Sequence, residues 1–179
     1  MTARVLLFVS FAFFYFSGPL RAQEKPPFVG VVKTDGVNLR AGNNSNFEVL
    51  AKLPKGSEVV VTGQAYEWFK VRLPEGARAF IIRKYVDIVG PGIGEVAADR
   101  VNVRAAPDTE ATILGQMNAG DLFFIQEDQG EWIWMKPVEK LSGWVHSALV
   151  AFKDGTIPPL PVPVKSAPVV NVPPVTRVK

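Results

Sequence analysis

The sequence predicts an all-β protein of two tandem small β-barrels, preceded by a signal peptide and followed by a flexible tail. Three observations predict this class. A self-match runs without a gap from Gly30 to Val86 at an offset of 64 residues, which is typical of a duplicated domain. Each copy consists of short runs of β-branched and aromatic residues separated by turn residues. No stretch of helical length places apolar residues three and four positions apart.

The first 22 residues have the pattern of a secretory signal peptide. Arg4 provides a positive charge before an apolar run from Val5 to Phe16, and the segment ends in Ala22. Because a helix that spans a bilayer needs about 20 apolar residues, this run fits a cleaved signal better than an anchor. We therefore expect an exported protein, periplasmic or extracellular, that begins at Gln23 and has no stable membrane insertion after cleavage. A retained anchor is the alternative.

The charge of the chain argues against a nucleic-acid partner. The formal net charge is +3, but Arg4 and Arg21 leave with the signal, so 18 basic groups remain against 17 acidic groups. A nearly neutral, exported protein lacks the basic surface that nucleic-acid binding requires. The chain also contains no cysteine, so disulfides cannot stabilise the exported domains.

The most distinctive repeated motif is Val37–Ala41 (VNLRA), which returns as Val101–Ala105 (VNVRA). Apolar and polar residues alternate in both, as in a strand with one buried face. We interpret Asn38, Arg40, Asn102 and Arg104 as a structural motif. The asparagines can hold a turn, and the arginines can donate hydrogen bonds to loop carbonyls. Contact with a ligand is the alternative role.

Further strands are predicted in each copy. The β-type runs are Ser57–Thr62 and Trp68–Arg72 in the first copy, and Asp121–Gln126 and Trp132–Lys136 in the second. Each copy is thus a barrel of roughly 60 residues, a size that buries only about 60% of its unfolded surface. We expect residues 28–89 and 94–153 to form two domains, each closed by its own strands, with residues 90–93 as a short connection.

The order of these features resembles the bacterial SH3 domain family over residues 28–89 and 94–153. The shared features are Asn-x-Arg-Ala, a polar loop, a β run entered from a glycine, Glu-Trp, and a closing Gly143-Trp144-Val145. The resemblance implies SH3-like barrels that bind peptidoglycan or other peptides of the cell envelope. The first copy has Ala79-Phe80-Ile81 in place of Gly-Trp-Val, so the second copy is the better candidate for binding.

The residues that enzymes use for catalysis are scarce. Without cysteine there is no thiol nucleophile, and a single histidine, His146, cannot build a histidine-rich metal site or a nucleophile–histidine pair. The carboxylates show no motif spacing, and there is no glycine-rich phosphate loop. We therefore expect no enzymatic activity, no metal and no cofactor. His146 aligns with Ile82, which predicts a surface or packing role.

Aromatic residues remain as candidates for ligand binding. Trp132 and Trp134 are two positions apart on a strand and therefore project to the same face. Adjacent aromatics can form a shallow groove for a peptide or a glycan, and they can equally fill the core of a small barrel. The candidate ligand-binding residues are Tyr66, Trp68, Trp132, Trp134 and Trp144.

The two copies differ in charge. Residues 28–89 carry nine basic and six acidic groups, whereas residues 94–153 carry five and nine, which gives net charges of +3 and −4. Opposite charges can orient the copies against each other, although drift between duplicated domains explains the difference equally well.

The C-terminal residues 154–179 are rich in proline and valine. Such a composition favours an extended, flexible tail. It also leaves open a second type of function, a periplasmic scaffold or regulatory protein that binds a protein partner through the barrels or the tail.

Overall fold

The computed structural model describes residues 25–156 and Pro163; the predicted signal peptide and most of the predicted tail lie outside the described residues. Two single 3₁₀ turns, Arg83–Tyr85 and Ser147–Leu149, are the only helical segments among the described residues. All other regular structure is β, which confirms the all-β class. The strands are β1 Phe28–Val32, β2 Val37–Arg40, β3 Val49–Leu53, β4 Glu58–Ala65, β5 Trp68–Arg72, β6 Phe80–Ile82, β7 Val86–Gly90, β8 Ile93–Val96, β9 Val101–Arg104, β10 Ile113–Met117, β11 Leu122–Asp128, β12 Trp132–Met135, β13 Ser142–His146 and β14 Val150–Asp154.

These strands form two seven-stranded antiparallel sheets of the same design. The first sheet has the order β14-β1-β4-β5-β13-β2-β3, and the second has the order β7-β8-β11-β12-β6-β9-β10. A shift of 64 residues converts each position of one order into the same position of the other. The duplication seen in the sequence is therefore a duplication of sheet topology.

The closing strands are exchanged between the two copies. In the first sheet, β13 of the second copy pairs with β5, Val145 lying opposite Phe69. In the second sheet, β6 of the first copy pairs with β12, Ile81 lying opposite Ile133. Each sheet thus takes five strands from one copy and two from the other. This differs from the expectation that each copy is closed by its own strands.

The exchange is possible because both copies offer the same main-chain groups and the same apolar positions to a closing strand. Two crossover segments, residues 73–79 and 136–141, carry the chain from one sheet to the other. Their apolar side chains are enclosed, since Leu73 is 1% exposed and Ala77, Ala79 and Leu141 are fully buried. The crossovers are therefore part of the core.

Residues 90–93, expected to be a connection between domains, instead turn the β7–β8 hairpin. Ile88 lies opposite Gly94 across this hairpin. Pro91 is followed by Gly92, whose φ of 67° is a conformation that glycine adopts without steric cost. The segment therefore belongs entirely to the second sheet.

Along the strands, buried and outward-facing side chains alternate. Ile133 and Met135 of β12 are fully buried, so the tryptophans that alternate with them face outward and are half-buried. The buried side chains of both sheets form one continuous cluster. The two sheets consequently share a single core across the crossovers.

Five of the six ion pairs within residues 25–156 join one copy to the other. Among them, Arg72 Nη2 lies 2.6 Å from Glu139 Oε1. Lys136 Nζ donates a hydrogen bond of 2.7 Å to Glu75, and this bond lowers the pKa of the Glu75 carboxyl. Glu75 is exposed, so solvent screens its pair with Lys136, whereas Arg72 in the first pair is buried.

Glu48 and Thr112, which occupy the same position in the two copies, contact each other. The Glu48 carboxylate accepts hydrogen bonds from the Thr112 backbone N–H at 3.0 Å and from its hydroxyl at 2.7 Å. Burial acts to raise the pKa of Glu48, but these hydrogen bonds to the charged form outweigh it and hold the pKa below its usual value. The contact therefore joins the two copies through a charged acceptor.

Candidate ligand-binding clefts

Each sheet carries a cleft that crosses three neighbouring strands on its outer face. The first cleft crosses β5, β13 and β2, has a volume of about 400 Å³ and includes Asp35, Asn38, Arg40, Trp68, His146 and Leu149. The second cleft crosses β12, β6 and β9, has a volume of about 370 Å³ and includes Asp99, Asn102, Arg104, Trp132, Ile82 and Tyr85. The two sets occupy matching positions at the offset of 64 residues, so the clefts are equivalent.

Both clefts are composite, because the middle strand of each comes from the other copy. In the first cleft, the His146 ring meets the Trp68 ring edge-on with centroids 5.4 Å apart. His146 Nδ1 accepts a hydrogen bond from the Ala148 backbone N–H, and its Nε2 lies 3.5 Å from a carboxylate oxygen of Glu67. In the second cleft, Ile82 lies opposite Trp132 instead. A complete cleft thus requires both copies.

The arginines of the repeated motif hold the long loop of each copy. Arg40 Nη1 donates to the carbonyl of Phe47 at 2.9 Å, and Arg104 Nη1 donates to the carbonyl of Ala111 at 2.7 Å. The two acceptors occupy the same position in the repeat. Each arginine therefore has a structural contact while also lining a cleft.

The asparagines of the motif differ between the clefts. Asn102 Oδ1 accepts a hydrogen bond of 2.9 Å from Gln116 Nε2. Asn38 Oδ1 is buried and accepts no hydrogen bond, and Lys52, whose ammonium does not reach it, stands opposite where the second copy has Gln116. A buried acceptor without a partner costs free energy, so this part of the first copy is less well satisfied.

The aspartates shape the rim of each cleft. Asp35 Oδ1 accepts from the Lys55 backbone N–H at 2.9 Å, and Asp99 Oδ1 accepts from the Ala119 backbone N–H at 3.1 Å. Again both donors hold the same position in the repeat. These carboxylates therefore join the loop before β2 or β9 to the turn that follows β3 or β10.

Trp68 and Trp132 are the predicted aromatic residues that line the clefts; Tyr66, Trp134 and Trp144 do not line either of them. Tyr66 is 90% exposed in the turn between β4 and β5. Trp134 Nε1 donates to the Ala77 carbonyl at 3.3 Å, which ties it to a crossover.

Each closing strand carries one aromatic residue, Phe80 in β6 and Trp144 in β13. Because of the exchange, each of these residues lies in the sheet that is built mainly from the other copy. Trp144 lies opposite Lys70 in the first sheet. Phe80 lies opposite Trp134 in the second sheet, with ring centroids 6.4 Å apart. The argument that the second copy is the better binding candidate because it retains Trp144 is therefore wrong, since the exchange moves Trp144 away from Trp134.

Several residues that line the clefts were missed by sequence reasoning. His146 and Leu149 enter the first cleft, and Ile82 and Lys84 enter the second, each from the other copy. The repeat alignment matches His146 with Ile82 and Leu149 with Tyr85, but it contains no signal of which sheet each joins.

Within residues 25–156, no group of three or more histidine, aspartate or glutamate side chains is placed to hold a metal ion. In the same part of the chain, no helix is long and apolar enough to cross a membrane.

Comparison with known proteins gives a family. The family model described as "Bacterial SH3 domain" matches residues 35–87 and 99–151, more than half of the chain. The protein named "Putative N-acetylmuramoyl-L-alanine amidase YrvJ" of Bacillus subtilis (strain 168) is 25% identical over 134 residues. That match covers 65% of this chain and 26% of the relative, so the chain spans about a quarter of the relative's length. No solved structure gives a significant match. The chain belongs to the bacterial SH3 domain family, and it carries two tandem copies of the domain.

Proposed function

We propose that this chain is an exported, non-catalytic binding protein that engages peptidoglycan or peptides of the cell envelope through its two clefts. The observation that carries this proposal is a half-buried tryptophan at the same position of two equivalent clefts. The same positions, including an aromatic floor at Trp68 or Trp132, form a concave surface on each sheet.

The chemistry of the clefts suits a peptide or a glycan. Half-buried Trp68 and Trp132 offer flat apolar surface for stacking. The volumes of the two clefts lie at the lower end of the range of small-ligand sites. The family is typical of cell-envelope proteins, and N-acetylmuramoyl-L-alanine, which the relative's name contains, is a unit of peptidoglycan.

Export and lack of catalysis are parts of the same proposal. Export rests on residues 1–22, and mass spectrometry of the protein from its host should find a chain that begins at Gln23. Lack of catalysis rests on the absence of cysteine and on the single histidine, His146, which packs against Trp68. A hydrolysis assay on purified sacculi should release no soluble fragments above the level without protein.

Co-sedimentation of the mature protein with purified, protein-free sacculi tests binding. Trp68→Ala and Trp132→Ala should each weaken association, and the double variant should weaken it by about tenfold or more, as for an aromatic anchor. Tyr66→Ala is the matched control, because it removes an exposed aromatic ring outside both clefts. Thermal melts of all variants establish that they are folded.

If the wild-type protein stays in the supernatant, the proposal is wrong. The alternative of a protein partner would then be tested by cross-linking in the native envelope. If the protein sediments but the double variant sediments equally, binding occurs outside the clefts.

A further inference from the structure

We propose that the second cleft binds the carboxylate of a short peptide, and that the first cleft does not. This inference rests on the proposed function of the clefts as binding sites and names the ligand group that one of them recognises. It follows from the charges at matching positions. The second cleft is lined by Lys84, Arg100 and Arg104 against the single carboxylate of Asp99.

The first cleft lacks this excess of positive charge. Arg40 faces the single carboxylate of Asp35, and Gly36 stands at the position of Arg100. The residue that matches Lys84 is Ala148. Two of the three cations are therefore specific to the second cleft.

The cations of the second cleft are available to a ligand. Lys84 Nζ lies 4.7 Å from the centroid of the Tyr85 ring and makes no ion pair within residues 25–156. The Arg100 guanidinium makes no hydrogen bond or ion pair in the same part of the chain. Arg104 uses Nη1 to hold its loop. Other cations of the same sheet are already paired, such as Arg83 with Asp128.

Arg100 is also held in a conformation that arginine rarely adopts. Its φ is 55°, in the left-handed region, and its backbone N–H donates to Asn118 Oδ1 at 3.1 Å. Gly36 has a φ of 70° at the matching position, so the turn accepts glycine without strain. Strained residues of this kind are concentrated at functional sites. Here the strained residue places a guanidinium at the rim of the cleft.

A peptide carboxylate is the ligand group that fits this arrangement. Guanidinium and ammonium groups bind carboxylates by short, charge-assisted hydrogen bonds. Trp132 and Ile82 supply an apolar floor beside the cations, which favours a small organic acid over a bare inorganic ion. A volume of about 370 Å³ suits the end of a peptide better than a long segment.

NMR titration of the full mature protein with acetyl-Ala-Ala-Ala tests this inference. The probe with a free C-terminal carboxylate should shift the Trp132 indole N–H and the Arg100 amide, and it should bind at least about tenfold more tightly than the C-terminal amide. A D-alanine version distinguishes a cell-wall peptide from the C-terminus of a protein, and preference for either form supports a carboxylate site. The affinity should fall as salt is added.

Single variants distinguish a loss of the cation site from a loss of folding. Arg100→Gly should weaken binding of the free acid by about tenfold without lowering the melting temperature, because glycine suits the turn. Lys84→Ala should act in the same direction. Lys70→Ala removes an exposed cation that lines neither cleft and should leave the affinity unchanged.

Three results would overturn the inference. They are equal binding of the acid and the amide, unchanged affinity in Arg100→Gly, and equal shifts on addition of inorganic phosphate, which would indicate an unspecific anion site. In each case sedimentation with sacculi would still support the proposed function. If neither peptide binds and the protein does not sediment with sacculi, the inference and the proposed function both fail.

Discussion

The exchange of closing strands can be tested with one engineered disulfide, because the chain contains no cysteine of its own. Val31 of β1 and Ala151 of β14 are half-buried partners across the first sheet. Opposite residues of antiparallel strands have Cα atoms about 4.5 to 5.5 Å apart, which lies within the range that a disulfide spans. The double variant Val31→Cys/Ala151→Cys should therefore cross-link without moving the backbone.

The cross-link should be strongly stabilising because the positions are far apart in the chain. About 120 residues separate them, and closing a loop of that length removes about 4 to 5 kcal/mol of chain entropy from the unfolded state. For a protein of this size, each kcal/mol raises the melting temperature by roughly 2 to 4 °C. The oxidised variant should thus melt about 10 °C above its reduced form.

The repeat supplies a matched control. If β14 instead closed its own copy, Ala151 would lie opposite Glu95, the residue of β8 that matches Val31. The variant Glu95→Cys/Ala151→Cys should therefore remain reduced in dilute solution. Mass spectrometry under non-reducing conditions counts the free thiols, and calorimetry with and without reductant gives the two melting temperatures. Rapid oxidation of the control together with free thiols in the first variant would refute the exchange.

Three further outcomes are expected. Lys52→Gln should give the buried Asn38 Oδ1 a hydrogen-bond donor and raise the free energy of unfolding by about 1 kcal/mol in urea titrations; no gain would mean that the acceptor is already satisfied. Arg100→Gly should raise the free energy of unfolding by about 1 kcal/mol, because glycine adopts the left-handed backbone conformation of this position without strain. A lower stability would show that the arginine side chain supports the turn. Glu48 has a folded pKa below the ordinary 4.5, so its contact with Thr112 is complete above that pH and is lost as acid protonates the carboxylate in the folded protein. Glu48→Gln should therefore flatten the fall in melting temperature as the pH is lowered below 4.5, and an unchanged slope would exclude this contact as its source.

The pattern of residue types along the chain was sufficient to predict the strands and some of the residues that line the clefts. The β-branched and aromatic run Trp68–Arg72 was predicted with the bounds of β5, and the alternation in Val37–Ala41 predicted β2, which ends one residue earlier at Arg40. The same alternation predicted that Trp132 and Trp134 share one face but left open whether that face lies in the core, and the burial of Ile133 shows that it faces outward. The repeat offset also predicted that the two halves share one topology.

The exchanged strands could not be predicted, because the two copies compete on equal terms for each closing strand. β13 buries Val145 whether it pairs with β5 or with β12, and both edges present the same hydrogen-bonding groups. Periodicity describes which face of a strand is apolar and contains no information about which partner it joins. The positions of Trp134 and Trp144 in different sheets follow from that choice of partner.

The sequence by itself thus determined the all-β class, the two copies of the repeat and the shared face of Trp132 and Trp134. Only the tertiary structure decided that each cleft combines both copies, with His146 in the first and Lys84 in the second. The physical reason is the range of the interactions. Strand patterns arise from neighbours in the chain, whereas the crossovers that direct each closing strand are selected by packing among Leu73, Ala79 and the rest of one shared core.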